Sequence, residues 1–162
     1  MHKTYMRHYH KSIVLPVTPE QVFDYVDDHA RFSSHMNDSS WMMMGSKMQI
    51  ATDDKLGKTI GSHIFMEGSI FGIPLFVDEV VTEYKRPNIK TWKTEKVRNL
   101  LIIGQYAMKI EIFPQGNNSL LRVSINYDLP DKHRWFGILF GSYYAHWCVQ
   151  QMIVGAKKYF AI

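Results

Sequence analysis

The chain has 162 residues, 46% of them apolar and 14% aromatic, with ten methionines and a formal net charge of +4. A chain of this length buries about 70% of the surface its unfolded form exposes, and the composition excludes disorder, so one domain is expected over residues 1–162. Its Lys and Arg residues are scattered rather than striped along one face, which argues against nucleic-acid binding and leaves only a weak attraction to anionic lipid headgroups.

In chain order, 9–17 reads as a first strand that ends at Pro16. Thr18-Pro19-Glu20-Gln21 follows, with an N-cap residue, proline at the first helical position and Gln at N3, three independent signals for a helix start. Val22, Phe23 and Val26 supply its apolar stripe. A second short helix is expected over 28–36 and a loop over 37–40. Six strands are then expected at 47–52, 62–70, 75–83, 89–95, 105–113 and 120–128, with turn chemistry at 55–58 and 115–118.

Residues 135–156 form 22 consecutive positions without a formal charge. That is long enough for a bilayer span, but Ser142, His146, Gln150 and Gln151 would sit at costly depth, and the preceding sheet would have nothing to pack on. A buried helix over 133–161 is the better reading. The order β-α-α-β6-α predicts an α+β fold in which an antiparallel sheet wraps around the C-terminal helix.

This order, with TPEQVFDYVDDHARFSSHM after the first strand and EVVTEYKRP ending a middle strand, resembles the START-like, Bet v 1-like superfamily, which includes the polyketide cyclase and lipid transport domains. VFDYVDDHARF is also similar to the helix segment of its coenzyme Q-binding branch. The resemblance spans the whole chain. It implies a helix-grip fold, a curved sheet around a long C-terminal helix with a cavity between them that takes a small hydrophobic ligand: lipid-like, quinone or aromatic. It does not say which ligand, or whether the protein carries it or transforms it.

Strand alternation separates two faces. Leu121, Val123, Ile125 and Tyr127 lie opposite Arg122, Ser124, Asn126 and Asp128; Tyr106, Met108, Ile110 and Ile112 lie opposite Lys109 and Glu111. The strand from Leu75 to Val81 is apolar on both faces and stays ambiguous. The expected cavity lining is Met66, Trp92, Tyr106, Met108, Tyr127, Tyr143 and Trp147, flexible or aromatic side chains suited to a large apolar ligand; the same stripe also reads as plain core.

In a meander the turns alternate between two ends. One end is polar. The other gathers Phe71, Ile73, Leu100, Leu101, Ile102 and Ile103 beside Trp135 and Phe136, rimmed by Lys96, Arg98, Lys132 and Arg134. Such a patch fits a cavity mouth or a transient membrane-surface contact, although 100–103 also reads as the covered start of the next strand.

No phosphate loop, dinucleotide fingerprint, nucleophile elbow or zinc spacing is present, so neither metal nor cofactor is expected. His63 and Glu67 share one strand face and are weak catalytic candidates for a cyclase, dehydratase or hydrolase, though Ile64 and Met66 fit the core better. Asp27 and Asp28 read as surface or capping groups, and the eight histidines as surface or hydrogen-bonded. Cys148 can form no intramolecular disulfide and reads as a buried apolar group. Residues 1–10 lack the apolar core of a signal peptide, so a cytoplasmic location is expected. Ligand binding without chemistry is the leading expectation; an enzyme on the same fold, or a peripheral membrane or protein-interaction module, is the alternative.

Overall fold

The computed structural model describes residues 4–33, 48–70 and 72–162. The expected loop at 37–40, the end of the second helix and Phe71 lie outside the described residues. The elements are β1 (Arg7–Leu15), α1 (Pro19–Asp27), α2 (His29–Phe32), β2 (Met48–Thr52), β3 (His63–Ile70), β4 (Ile73–Lys85), β5 (Ile89–Arg98), β6 (Tyr106–Gln115), β7 (Asn118–Tyr127) and α3 (Arg134–Tyr159). They follow the expected order. The strands form one curved antiparallel sheet in the order β1-β7-β6-β5-β4-β3-β2, with α3 against its concave face, the helix-grip arrangement.

Local chemistry sets the boundaries. Thr18 Oγ1 accepts from the Gln21 backbone N–H at 3.4 Å and the Gln21 side chain accepts from the Thr18 N–H at 3.1 Å, a complete capping box ahead of Pro19. Asp28 ends α1 and caps α2, its Oδ1 accepting from the Arg31 N–H at 3.1 Å. The pair α1–α2 lies between β1 and β2 in the chain, which are opposite edges of the sheet; from β2 onward each strand pairs with its successor, as short turns permit.

The alternation read from β6 and β7 holds: Tyr106, Met108, Ile110, Ile112, Leu121, Val123, Ile125 and Tyr127 are all buried. β4 is resolved in the same way, with Leu75, Val77 and Val81 on the concave side and Phe76 and Val80 less buried on the other. The helix α3 packs on β1 and β7 through Gly141, Ala145, Cys148, Val149, Met152, Ile153 and Ala156. No helix of the described residues is long and apolar enough to cross a membrane.

The first turns of α3 approach the β5–β6 connection very closely. A Cβ on Gly137 would stand 2.3 Å from Pro130 Cδ and 3.0 Å from the Ile102 carbonyl oxygen, and one on Gly141 would stand 3.2 Å from that same oxygen. Gly-to-Ala changes inside helices ordinarily stabilise by up to about 1 kcal/mol. Here the Pro130 ring cannot rotate away, so overpacking of about 1–3 kcal/mol outweighs that gain. Gly137→Ala is therefore expected to lower the thermal midpoint, measured by circular dichroism, whereas Gly155→Ala, which meets only the Tyr25 hydroxyl at 3.0 Å, is expected to change it less.

Candidate functional site

The concave face carries an unexpected group of ionisable side chains. Strand register lines up Ile64, Glu79 and Thr94 across β3, β4 and β5. The row continues to Tyr106, because Thr94 Oγ1 accepts from the Tyr106 N–H at 3.1 Å, and then to Tyr127. The next row places Val81 beside Trp92, then Met108 and Ile125. Glu79 thus occupies an inward position in a strand whose other inward residues are apolar. It is 3% exposed.

Three groups surround its carboxylate. The Tyr106 hydroxyl donates to Oε1, the Trp92 indole also hydrogen-bonds it, and His29 from α2 brings Nε2 to 3.8 Å from Oε2. That last separation is too long for a hydrogen bond. Among the described residues neither ring nitrogen of His29 has a hydrogen-bond partner, although the residue is only 3% exposed. Its ring meets the Trp92 edge at 4.7 Å between centroids.

Desolvation dominates the electrostatics. Burial pushes Glu79 up to about 7, against the opposing effects of the Tyr106 and Trp92 hydrogen bonds and the Lys90 charge. Burial, helped by Lys90, holds His29 well below its ordinary value, so the imidazole is neutral at physiological pH. A neutral imidazole thus faces a carboxyl that shares its proton with solvent near neutrality, a pairing of acid and base character without a fixed ion pair.

A second buried group holds α1 in place. Lys90, fully buried on β5, donates to Asp27 Oδ1 at 2.8 Å, and the Tyr84 hydroxyl donates to Asp27 Oδ2 at 2.8 Å. Burial, then the Asp27 bond, raises the Tyr84 phenol to about 12. The surface or capping assignment of Asp27 is therefore corrected: Asp28 caps, and Asp27 anchors. His29, two residues on, is likewise buried and not a surface histidine, and it has no hydrogen-bond partner among the described residues.

Of the expected cavity lining, Met66, Trp92, Tyr106, Met108 and Tyr127 are buried on the concave face, and Trp147 is half-buried against the core. Tyr143 stands apart: it is 56% exposed, because α3 turns that side to solvent together with Trp135 and Leu139, four positions apart along the helix. Among the mouth residues, Ile102 and Ile103 are buried, Leu100 and Leu101 pack half-buried on the core, and Ile73 is exposed. Residues 99–105 form a connection rather than the start of β6. His63 and Glu67 lie on the convex face, His63 bonded to Asp78 at 2.7 Å and Glu67 exposed in a row with Gln49, Phe76 and Arg98. An open groove of about 730 Å³ lies along that row. Cys148 is buried and raised to about 12 by burial, so its thiol is not an available nucleophile.

Sequence reasoning missed Glu79, His29, Lys90 and Asp27. A signal existed for Glu79: in Leu75-x-Val77-x-Glu79-x-Val81 a single carboxylate interrupts an otherwise apolar period of two.

The family model for polyketide cyclase / dehydrase and lipid transport matches residues 6–155. No curated protein matches the chain. Among solved structures, a protein of Thermus thermophilus is similar at 12% identity with a TM-score of 0.68, over 96% of this chain and 97% of that one. A point mutant of norcoclaurine synthase from Thalictrum flavum, in complex with a transition-state analogue, gives 12% identity and 0.66 over 99% and 98%. Ara h 8.0201 gives 12% and 0.59 over 96% and 97%. At these identities the likeness is one of fold.

Two outcomes follow from the buried groups. Lys90→Met alone leaves the Asp27 carboxylate buried without its cation and should cost about 3–5 kcal/mol in urea unfolding, most of it recovered in Asp27→Asn/Lys90→Met. For Glu79 the folded value lies above the ordinary carboxylate value of 4.5, so folding favours the protonated form. Its ionisation weakens the fold progressively as pH rises from the unfolded value towards about 7 and is constant above that. Glu79→Gln, which mimics the protonated acid, should match the parent near pH 4.5 and exceed it by about 3 kcal/mol at pH 8.

Proposed function

Because this chain belongs to the polyketide cyclase / dehydrase and lipid transport family, its concave face is where a ligand is to be sought, and we propose that it binds a small, mainly apolar molecule carrying a single hydroxyl or carbonyl group. The observation that carries this reading is the buried His29 imidazole, neutral and without a hydrogen-bond partner among the described residues, beside the Glu79 carboxyl on a largely apolar face. A buried polar group left unmade costs about 1–3 kcal/mol, and a ligand oxygen between His29 and Glu79 would satisfy both. The body of the ligand would lie against Met66, Trp92, Met108, Tyr127 and Trp147, where methionines adapt to its shape and aromatic rings add contact area. The Tyr106 hydroxyl, committed to Glu79, would hold the carboxyl in orientation.

A second reading is favoured by one specific observation. Glu79 titrates at about 7, where a general acid–base group is most effective, and a neutral imidazole stands beside it. A cyclisation or dehydration of the bound molecule would then proceed by proton transfer to and from Glu79, with the neutral His29 imidazole hydrogen-bonding the reacting oxygen. Both readings use the same concave face and the same ligand class.

Native mass spectrometry of the purified protein, followed by organic extraction, is expected to show an apolar molecule of a few hundred daltons bound in substoichiometric or full amount. His29→Phe should reduce its retention roughly tenfold, the loss of one hydrogen bond to a buried partner. Glu79→Gln separates the two readings: retention with the ligand chemically unchanged marks a carrier, while accumulation of a precursor that the parent protein converts marks an enzyme. Equal retention in the parent protein, His29→Phe and Trp92→Ala would remove the concave face as the site.

A further inference from the structure

The pairing of β4 with β5 contains an irregularity whose effect lies on the face opposite Glu79. Asp78 pairs with Lys96 and Glu79 with Thr94, so Glu95 is an extra residue in β5. Thr94 is buried on the concave side and Val97 is half-buried, while Glu95 and Lys96 between them are both exposed. A bulge of this kind re-aims side chains. Here it turns two consecutive residues outward and brings the Glu95 carboxylate over β4.

Three potential metal ligands meet there, one from each of three adjacent strands. Asp78 Oδ1 lies 2.7 Å and Glu95 Oε2 3.7 Å from His63 Nδ1, and the ligand atoms all lie within 4.8 Å of one another. We propose that His63, Asp78 and Glu95 form a binding site for a divalent transition-metal ion of the zinc class, with water completing its coordination. One imidazole nitrogen with two carboxylate oxygens is a donor set for Zn²⁺, whose bonds of about 2.0–2.2 Å place ligand atoms roughly 3.3 Å apart in a tetrahedron. Magnesium and calcium demand six or more oxygens and fit a site with three protein donors and a nitrogen less well.

The surroundings favour a cation. Asp53 adds a third carboxylate beside this residue: its Oδ2 accepts from the His63 backbone N–H at 2.8 Å and its Oδ1 from the Ser62 hydroxyl at 2.5 Å. Three acidic groups, Asp53, Asp78 and Glu95, thus surround one histidine. A metal ion would replace the Nδ1 proton. Lys93 and Lys96 are the cations of the same strand that flank the cluster, both exposed and free to extend into solvent. Asp78 is 5% exposed, so its carboxylate is fixed by packing, whereas Glu95 is half-exposed and can adjust to the ion. The ion would clamp the bulge, and Glu79, one residue from Asp78, would be held through the same backbone.

The test uses the full chain without a polyhistidine tag, stripped with EDTA and titrated with CoCl₂ and then ZnCl₂. One equivalent of Co²⁺ should give the visible absorption bands of a four-coordinate site, and Zn²⁺ should bind by calorimetry with a Kd of about 1 μM or tighter and raise the thermal midpoint. Glu95→Gln, a change at a half-exposed side chain that leaves the fold intact by circular dichroism, should weaken binding at least tenfold and remove the thermal shift. His63→Ala should abolish the cobalt bands. His8→Ala/His10→Ala should leave binding unchanged; that pair brings two ring nitrogens within 3.1 Å of each other and is the competing place for a metal ion among the described residues. Binding lost in the His8/His10 variant and kept in Glu95→Gln would overturn the assignment, as would Zn²⁺ binding no tighter than millimolar.

Discussion

The Asp27–Lys90 pair is the constraint on which the concave face depends. Lys90 is fully buried and Asp27 is 3% exposed, so neither charge can turn to water, and each is tolerable only because the other is 2.8 Å away. The bond joins the last turn of α1 to the centre of the sheet. It therefore fixes the start of α2, and with it the position of His29 above Trp92 and Glu79. Tyr84 completes the arrangement by occupying the second oxygen of Asp27. Apolar contacts could hold α1 against β6 and β7, but they would not specify a single register for it. A buried ion pair does, since sliding the helix by one residue would strand both charges.

From that fixed point the character of the face follows. Lys90 helps keep His29 unprotonated, and desolvation by the surrounding core keeps Glu79 near neutrality. The ionic pair and the uncharged pair are thus neighbours with opposite functions: the first commits its charge to architecture, the second is left able to exchange a proton or a hydrogen bond. Tyr106 and Thr94 link this region to β6 and, through Tyr127, to the side of the sheet that α3 covers.

The fold was legible because its signals are local. Thr18-Pro19-Glu20-Gln21 announces a helix, alternation in 106–112 and 121–127 announces strands, and an uncharged run of 22 residues before Lys157 and Lys158 announces a long helix with cations at its C-terminal end. The ionisable groups were not legible, for reasons of distance. Asp27 and Lys90 are 63 residues apart, and nothing local marks either as buried. Beside Asp28, Asp27 reads as one of a capping pair; only the turn between α1 and α2 separates their environments. Glu79 was hidden by a strand whose apolar residues lie on both faces, and Tyr143 was assigned inward because α3 offers too little polarity to reveal which side faces the sheet.

The bulge in β5 adds a residue to one face of β4 without disturbing the other. Asp78 and Glu79 point in opposite directions because neighbouring residues of a strand must, and the extra residue Glu95 is accommodated between Thr94, which bonds Tyr106, and Lys96, which pairs with Asp78. Exchanging one side chain here alters one contact. Removing Glu95 would instead leave Thr94 opposite Glu79 and Lys96 opposite Asp78 in regular alternation, so Lys96 would still face water and Val97 the core. For this segment, a gene shortened by that one codon would keep the parity of the sheet and lose only the outward carboxylate.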